Sequence, residues 1–229
     1  LSSAASDVYK RQINSVADKE SVIELYKQFG TSAVTAIGSL NWRTAGFVAT
    51  NNGAKLTADD SAKIARFVTL CDAYSIPVVT FVDSEGFEKS SAAELAGSIR
   101  DSAKLAQAYA SATTAKIAVV TGKAYGSAYV ALASTAAGSD FTFAWEGAVI
   151  APTTPEAAVV FLNGVSEDNA KQAQEYADNE ADAFTAAANG YVDRVITAED
   201  TKSALTSAIE ATSSKRVVTP AKKHVNFVY

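Results

Sequence analysis

The sequence predicts an α/β fold built on a largely parallel sheet. Two short β-branched runs, Val78–Val82 and Ile117–Thr121, lack the alternation of a half-exposed strand and read as strands buried on both faces. Each follows a segment with helical periodicity, so helix and buried strand alternate along the chain. At 229 residues and 48% hydrophobic, the chain is long enough for one full core.

Residues 1–12, LSSAASDVYKRQ, show neither helical nor strand period. They resemble translated adapter sequence and are expected to be disordered or loosely packed, leaving 13–229 as one domain. The chain starts at Leu1 and holds no Met, which is the pattern of a processed product or a fragment. Asp18 to Phe29 mixes polar and apolar residues, as a short helix or strand entering the core would. Ala33–Leu40 and Thr44–Thr50 flank Asn41-Trp42-Arg43 and predict an antiparallel hairpin with Trp42 packed at its turn. Asn51-Asn52-Gly53 is the next turn.

Thr57 suits the N-cap of a helix with Asp59 and Asp60 in its first turn. Ile64, Phe67, Val68 and Cys71 give that helix an apolar stripe, which makes Cys71 a core residue. Ile76-Pro77 breaks the chain ahead of strand Val78–Val82, and Asp83–Phe87 follows as a loop. A second helix is predicted from Ser91 to Tyr109, with Leu95, Ile99, Ala103, Ala106 and Tyr109 on its inner face.

The segment Lys116–Ala133, KIAVVTGKAYGSAYVALA, is the centre of the pattern. It reads as strand Ile117–Thr121, a turn from Gly122 to Gly126, and a buried helix entered at Ser127. The first N–H groups of such a helix have no intrahelical partner and lie at the positive end of its dipole, where they suit a developing oxyanion. The plainer alternative is an ordinary connection whose glycines relieve sterics, and local physics leaves both open. Parallel strands would bring Gly86 and Gly126 to one sheet edge, where α/β folds place ligands. Beyond it, Phe141–Trp145 and Ala148–Ala151 read as strands and Pro155–Leu162 as a helix. Ser166–Tyr176 is an acidic amphipathic helix and Glu180–Ala188 a short one. Gly190 fits a helix C′ position before strand Tyr191–Ile196. Ala198–Ala211 is the last helix, and a basic tail starts at Lys215.

Composition removes several classes of function. A net charge of -5 and a pI of about 5.0 argue against a nucleic-acid surface. One cysteine permits no internal disulfide and fits a reducing, cytoplasmic setting. No run is long and apolar enough to span a bilayer, and no signal peptide opens the chain. Neither a metal-ligand cluster nor a phosphate-loop or dinucleotide pattern occurs. Ser127 with the single histidine, His224, gives a hydrolase pair on paper. The flanks Tyr125-Gly126-Ser127-Ala128-Tyr129 do not match the G-x-S-x-G elbow.

FVTLCDAYSIPVVTFVDSEGF, AKIAVVTGKAYGSAYVALAS, SDFTFAWEGAVIAPTTPEAA, NGYVDRVITAEDT and PAKKH occur in that order between Asp18 and His224. Together they resemble the C-terminal half of biotin-dependent carboxyltransferase subunits. These are the subunits of propionyl-CoA and acetyl-CoA carboxylases, methylmalonyl-CoA carboxyltransferases and related acyl-CoA decarboxylases. The resemblance implies a crotonase-like fold of ββα units. It implies a domain that binds carboxybiotin on a carrier protein, with the acyl-CoA-binding N-terminal domain absent and a homo-oligomeric full subunit. It also implies that the amides of Ser127 and Ala128 hold the biotin ureido oxygen, with Gly86, Phe87, Tyr125 and Gly126 around the same pocket. Backbone donors alone then serve both oxyanions of carboxyl transfer, and no histidine is needed.

The chain departs from the family at Ser127, where a second glycine is common, and at Glu85 and Glu146, where proline is common. Val130 occupies a position tied to acyl selectivity, where propionyl-CoA enzymes often carry an acid. The competing readings are a non-catalytic fragment that retains fold and oligomer surfaces and, less simply, a crotonase-like serine hydrolase.

Overall fold

The structure is a computed structural model and describes residues 11–50 and 53–218. Among the described residues eight strands form one sheet: β1 (Ile23–Leu25), β2 (Ala33–Leu40), β3 (Arg43–Thr50), β4 (Val78–Ser84), β5 (Lys116–Tyr125), β6 (Phe141–Trp145), β7 (Val149–Ala151) and β8 (Arg194–Ile196). The order is β1-β2-β3-β4-β5-β6-β8, with β7 paired to β5 beside β6. β1, β2 and β3 are antiparallel, and every pairing from β3 onward is parallel. The sheet's parallel part is covered on both faces. Val78 and Val82 of β4 join one core cluster while Val79 and Phe81 join the other. In β5, Ala118 and Val120 face the first cluster, and Ile117 and Val119 the second.

Residues 11–16 form helix α1. The remaining helices are α2 (Ala58–Ala73), α3 (Ser91–Leu95), α4 (Ser98–Ser111), α5 (Gly126–Leu132), α6 (Pro155–Asn163), α7 (Asn169–Asn179), α8 (Ala183–Ala188) and α9 (Thr201–Ala211). The first core packs α2, α4 and α5 on the sheet through Ile64, Phe67, Val68, Cys71, Leu105, Tyr109, Tyr129 and Leu132. The second packs α1 and α9 through Ile13, Val16, Leu205 and Ile209.

Several expectations are met closely. The hairpin turns at Asn41 and Trp42, with φ of 50° and 66°, a pair of left-handed residues suited to a two-residue turn. Thr57 caps α2 in a reciprocal capping box with Asp60. Others need correction. Trp42 does not pack at the turn; it is 91% exposed. The Asp18 carboxylate accepts the N–H groups of Asn41 and Trp42 and the Ser39 hydroxyl, so polar bonds hold the turn without it. The helix expected over Ser91–Tyr109 is two helices, divided where Gly97 adopts φ 92°. That break turns Leu95 and Ile99 to solvent, and Ser98, Asp101, Leu105 and Tyr109 form the buried face of α4.

Arg11 and Gln12 are helical, and Gln12 Nε2 donates to Thr121 Oγ1 at 3.4 Å, so ordered chain begins ahead of residue 13. Asn51, Asn52 and residues 219–229, with Lys222, Lys223 and His224 of the basic tail, lie outside the described residues, as does the rest of the 1–12 segment.

Candidate functional site

β4 and β5 run side by side, and the ends of both strands fix the site. The segment Gly122–Tyr125 is not the turn expected from its glycines. It continues β5, and Lys123, Ala124 and Tyr125 pair with Val149, Ile150 and Ala151 of β7. Gly122 is needed for space: a Cβ there would lie 2.5 Å from Asp83 Oδ1. That carboxylate also accepts the Lys123 N–H at 2.9 Å, which ties the outer part of β5 to the end of β4.

Gly126 then turns the chain into α5 with φ 57°. A Cβ on it would meet the Pro152 carbonyl oxygen at 3.1 Å, so both its conformation and its surroundings call for glycine. Tyr125 precedes the helix in extended conformation and supplies no side-chain cap. The first-turn N–H groups, including those of Ser127 and Ala128, therefore lack the usual side-chain acceptor. Ala128 is buried, whereas Ser127 and Val130, one turn apart, are exposed on the outer face of α5.

Gly86 sits beside this point. A Cβ on Gly86 would lie 3.7 Å from the Tyr125 carbonyl oxygen, and its φ is 110°. The loop is tied down by Ser84 Oγ, which donates to the Ala54 carbonyl at 2.8 Å, and by Leu56 N–H, which donates to the Gly86 carbonyl at 2.8 Å. Phe87 is half-buried against the main core. The structure thus brings Gly86, Tyr125 and Gly126 together, with Ser127, Ala128 and Val130 continuing from them along α5. Surface grooves elsewhere among the described residues have other linings, one of them at the opposite, amino-terminal ends of β3, β4 and β5.

Charge around the site is paired. Lys123 Nζ bonds Glu85 Oε1 at 2.7 Å, and that hydrogen bond holds the ammonium above its ordinary range. Burial, with Glu156, Glu85 and Asp83 nearby, raises the Tyr125 phenol against the opposing pull of Lys123. Burial pushes the Tyr129 phenol up to about 12, and its hydroxyl donates to the Tyr191 carbonyl at 2.6 Å. The contacts of Asp83, Pro152 and Tyr129 were not anticipated from the sequence, because each depends on a partner far along the chain. Among the described residues there is no cluster of His, Cys, Asp or Glu able to hold a metal ion, and no helix long and apolar enough to cross a membrane. The arrangement can hold an anionic or oxyanionic oxygen on backbone donors, beside a rigid glycine loop.

Known proteins resemble this chain in sequence and in fold. The model of the carboxyl transferase domain matches residues 3–227. The propionyl-CoA carboxylase beta chain of Cereibacter sphaeroides is 38% identical over 224 residues, covering 95% of this chain and 44% of that protein. The methylmalonyl-CoA carboxyltransferase 12S subunit of Propionibacterium freudenreichii subsp. shermanii is 37% identical over 226 residues, covering 94% and 43%. A transcarboxylase 12S crystal structure, described as a hexamer with methylmalonyl-coenzyme A and methylmalonic acid bound, superposes with a TM-score of 0.91 at 36% identity. It covers 96% of this chain and 44% of that one. The beta subunit of P. aeruginosa geranyl-CoA carboxylase, 21% identical with a TM-score of 0.80, shares the fold and covers 95% of this chain and 44% of that one. The fold is the crotonase-like α/β fold of carboxyltransferases. The chain spans about 44% of the length of these relatives.

Proposed function

The chain belongs to the carboxyl transferase domain family, and from that premise we propose that it is the carboxybiotin-binding half of a biotin-dependent acyl-CoA carboxyltransferase or decarboxylase subunit. The observation that carries the reading is the uncapped start of α5 beside the Gly86 loop. Its partners in this reading are a biotin carboxyl carrier protein, an acyl-CoA-binding N-terminal domain and further copies of the subunit.

Carboxybiotin, delivered by the carrier, supplies the activated carboxyl group. The residues present fit it: Ser127 and Ala128 offer N–H donors with no side-chain cap, and Gly86 leaves the approach free of a side chain. Those two N–H groups hold the ureido oxygen and favour negative charge on it. Gly86, Phe87, Tyr125 and Gly126 form the wall. Val130, exposed one turn along, faces the acyl group presented by the other half. The Ser127 hydroxyl has no part in this scheme.

The test pairs this chain with the acyl-CoA-binding half of the Propionibacterium 12S subunit and follows labelled carboxyl from methylmalonyl-CoA to biocytin. Transfer is expected from the pair and from neither half alone. Ser127→Ala should stay within a few-fold of wild type, and Gly126→Ala should lose at least tenfold, because its Cβ displaces the helix start. A loss of about a hundredfold in Ser127→Ala, ~2.7 kcal/mol of barrier, would instead support a serine nucleophile. A bound pair without transfer would support the non-catalytic reading.

A further inference from the structure

Helix α5 has only seven residues, and two turns of helix do not hold themselves in water. Ala128, Tyr129, Ala131 and Leu132 face inward, so the outer face is positioned entirely by what the inner face touches. Two polar contacts fix that inner side. Midway along, the Tyr129 hydroxyl donates to the Tyr191 carbonyl at 2.6 Å. At the end, Thr142 Oγ1 of β6 donates to the Ala133 carbonyl. Both lead to one short segment. Thr142 N–H donates to Asp193 Oδ2 at 2.7 Å, and Asp193 N–H donates to the Thr142 carbonyl at 2.8 Å. Residues 191–193 follow directly on Gly190, which ends α8 with φ 77°. A segment 62 residues downstream is therefore buckled to the helix and to the neighbouring strand.

We propose that Tyr129 is a positioning residue of the transfer site: its hydroxyl, bonded to the Tyr191 carbonyl, fixes the axis of α5 and through it the Ser127 and Ala128 N–H groups. The inference rests on the function proposed above. It follows from geometry, since Tyr129 lies on the face of α5 opposite Ser127 and Val130 and touches no reacting group. Burial keeps the phenol protonated as a donor well beyond neutral pH, with Asp193 and Tyr191 adding in the same direction. Tyr129→Phe removes only the oxygen and leaves the ring in its core position, so the fold is retained.

Hydrogen exchange on the chain itself reads the positioning directly. In Tyr129→Phe, the α5 amides of Val130, Ala131 and Leu132 should exchange at least tenfold faster, with the β5 amides of Ile117–Val120 unchanged. In the two-half transfer assay, the same variant should lose tenfold or more in kcat at unchanged KM for methylmalonyl-CoA, which the other half binds. Unchanged α5 exchange, or a uniform rise across the chain, overturns the proposal. A loosened helix with full kcat overturns it too, by showing that the axis of α5 does not set the rate. Wild-type halves that transfer nothing defeat the proposed function instead, and the exchange result still decides whether Tyr129 holds the helix.

Discussion

Gly122 lies in β5, yet a single methyl group there would be placed 2.5 Å from the Asp83 carboxylate. Neither partner can give way easily, because Asp83 Oδ1 also accepts the Lys123 N–H and the strands on both sides are paired. Gly122→Ala is expected to lose about 1–3 kcal/mol, read as a shift in the urea midpoint at unchanged slope. A midpoint within error of wild type would show that Asp83 swings aside freely. In the sequence, Gly122 is legible as a glycine with a structural purpose, but its local pattern predicts a turn. The residue that needs its bareness stands 39 positions earlier, and nothing in the local pattern points to it. Cys71 was legible from its place on the α2 stripe, and its burial has a pH consequence. Its thiol is pushed up to about 12 from 9.0, mainly by burial and secondly by Asp72. As pH rises past 9.0 the unfolded thiol ionises first, so the folded state binds more protons and stability falls from there towards about 12. The full slope is about 1.4 kcal/mol per pH unit. Between pH 8 and 10.5, wild type should lose about 2 kcal/mol more than Cys71→Ala by denaturant titration. Equal losses would assign the alkaline instability to other groups.

At the scale of elements, α2 shows what local sequence can specify. Thr57 and Asp60 meet as a capping box three residues apart, so both partners are visible in one window. The structure adds a longer reach. Asp60 is fully buried; its Oδ2 accepts Thr57 N–H and Oγ1, and its Oδ1 accepts Ser32 N–H, which joins α2 to the turn before β2. Asp60→Ala strands these donors and should cost about 3 kcal/mol, whereas Thr57→Ala, which removes one cap acceptor, should cost about 1 kcal/mol. Equal effects in paired unfolding curves would mean that the Ser32 contact contributes nothing. α3 and α4 show the opposite case. Leu95, Ile99, Ala103, Ala106 and Tyr109 fit a continuous stripe, but Gly97 at φ 92° rotates the two halves apart. Glycine inside a helical period is tolerated often enough that its presence alone does not announce a break. Whether it breaks depends on the packing of α4 against α2, which the pattern of one segment does not contain.

For the whole molecule, the alternation of helices with strands buried on two faces was enough to read the α/β class, and five ordered motifs were enough to read the family. The edge holding Gly86 and Gly126 followed from parallel strands, and the two lie where that reasoning put them. What the sequence could not show is how much of this edge is left bare. Leu95 is 90% exposed, Phe161 89% and Val165 89%, with Ile99, Leu162 and Val130 also open to solvent. They lie on α3, α4, α5 and α6 and in the residues just after α6, the elements that follow the Gly86 loop, β5 and β7. Large apolar side chains this exposed mark surface made to be covered. The chain on its own should therefore self-associate, with a weight-average mass that rises across a concentration series in sedimentation velocity. Phe161→Ser combined with Val165→Ser should shift the series towards monomer while leaving the thermal midpoint unchanged, because neither side chain takes part in the core. Adding the acyl-CoA-binding half should suppress self-association of the wild type if it covers the same apolar side chains. A wild-type chain that stays monomeric throughout the series, or a double variant that associates as before, would place the covering surface elsewhere on the molecule.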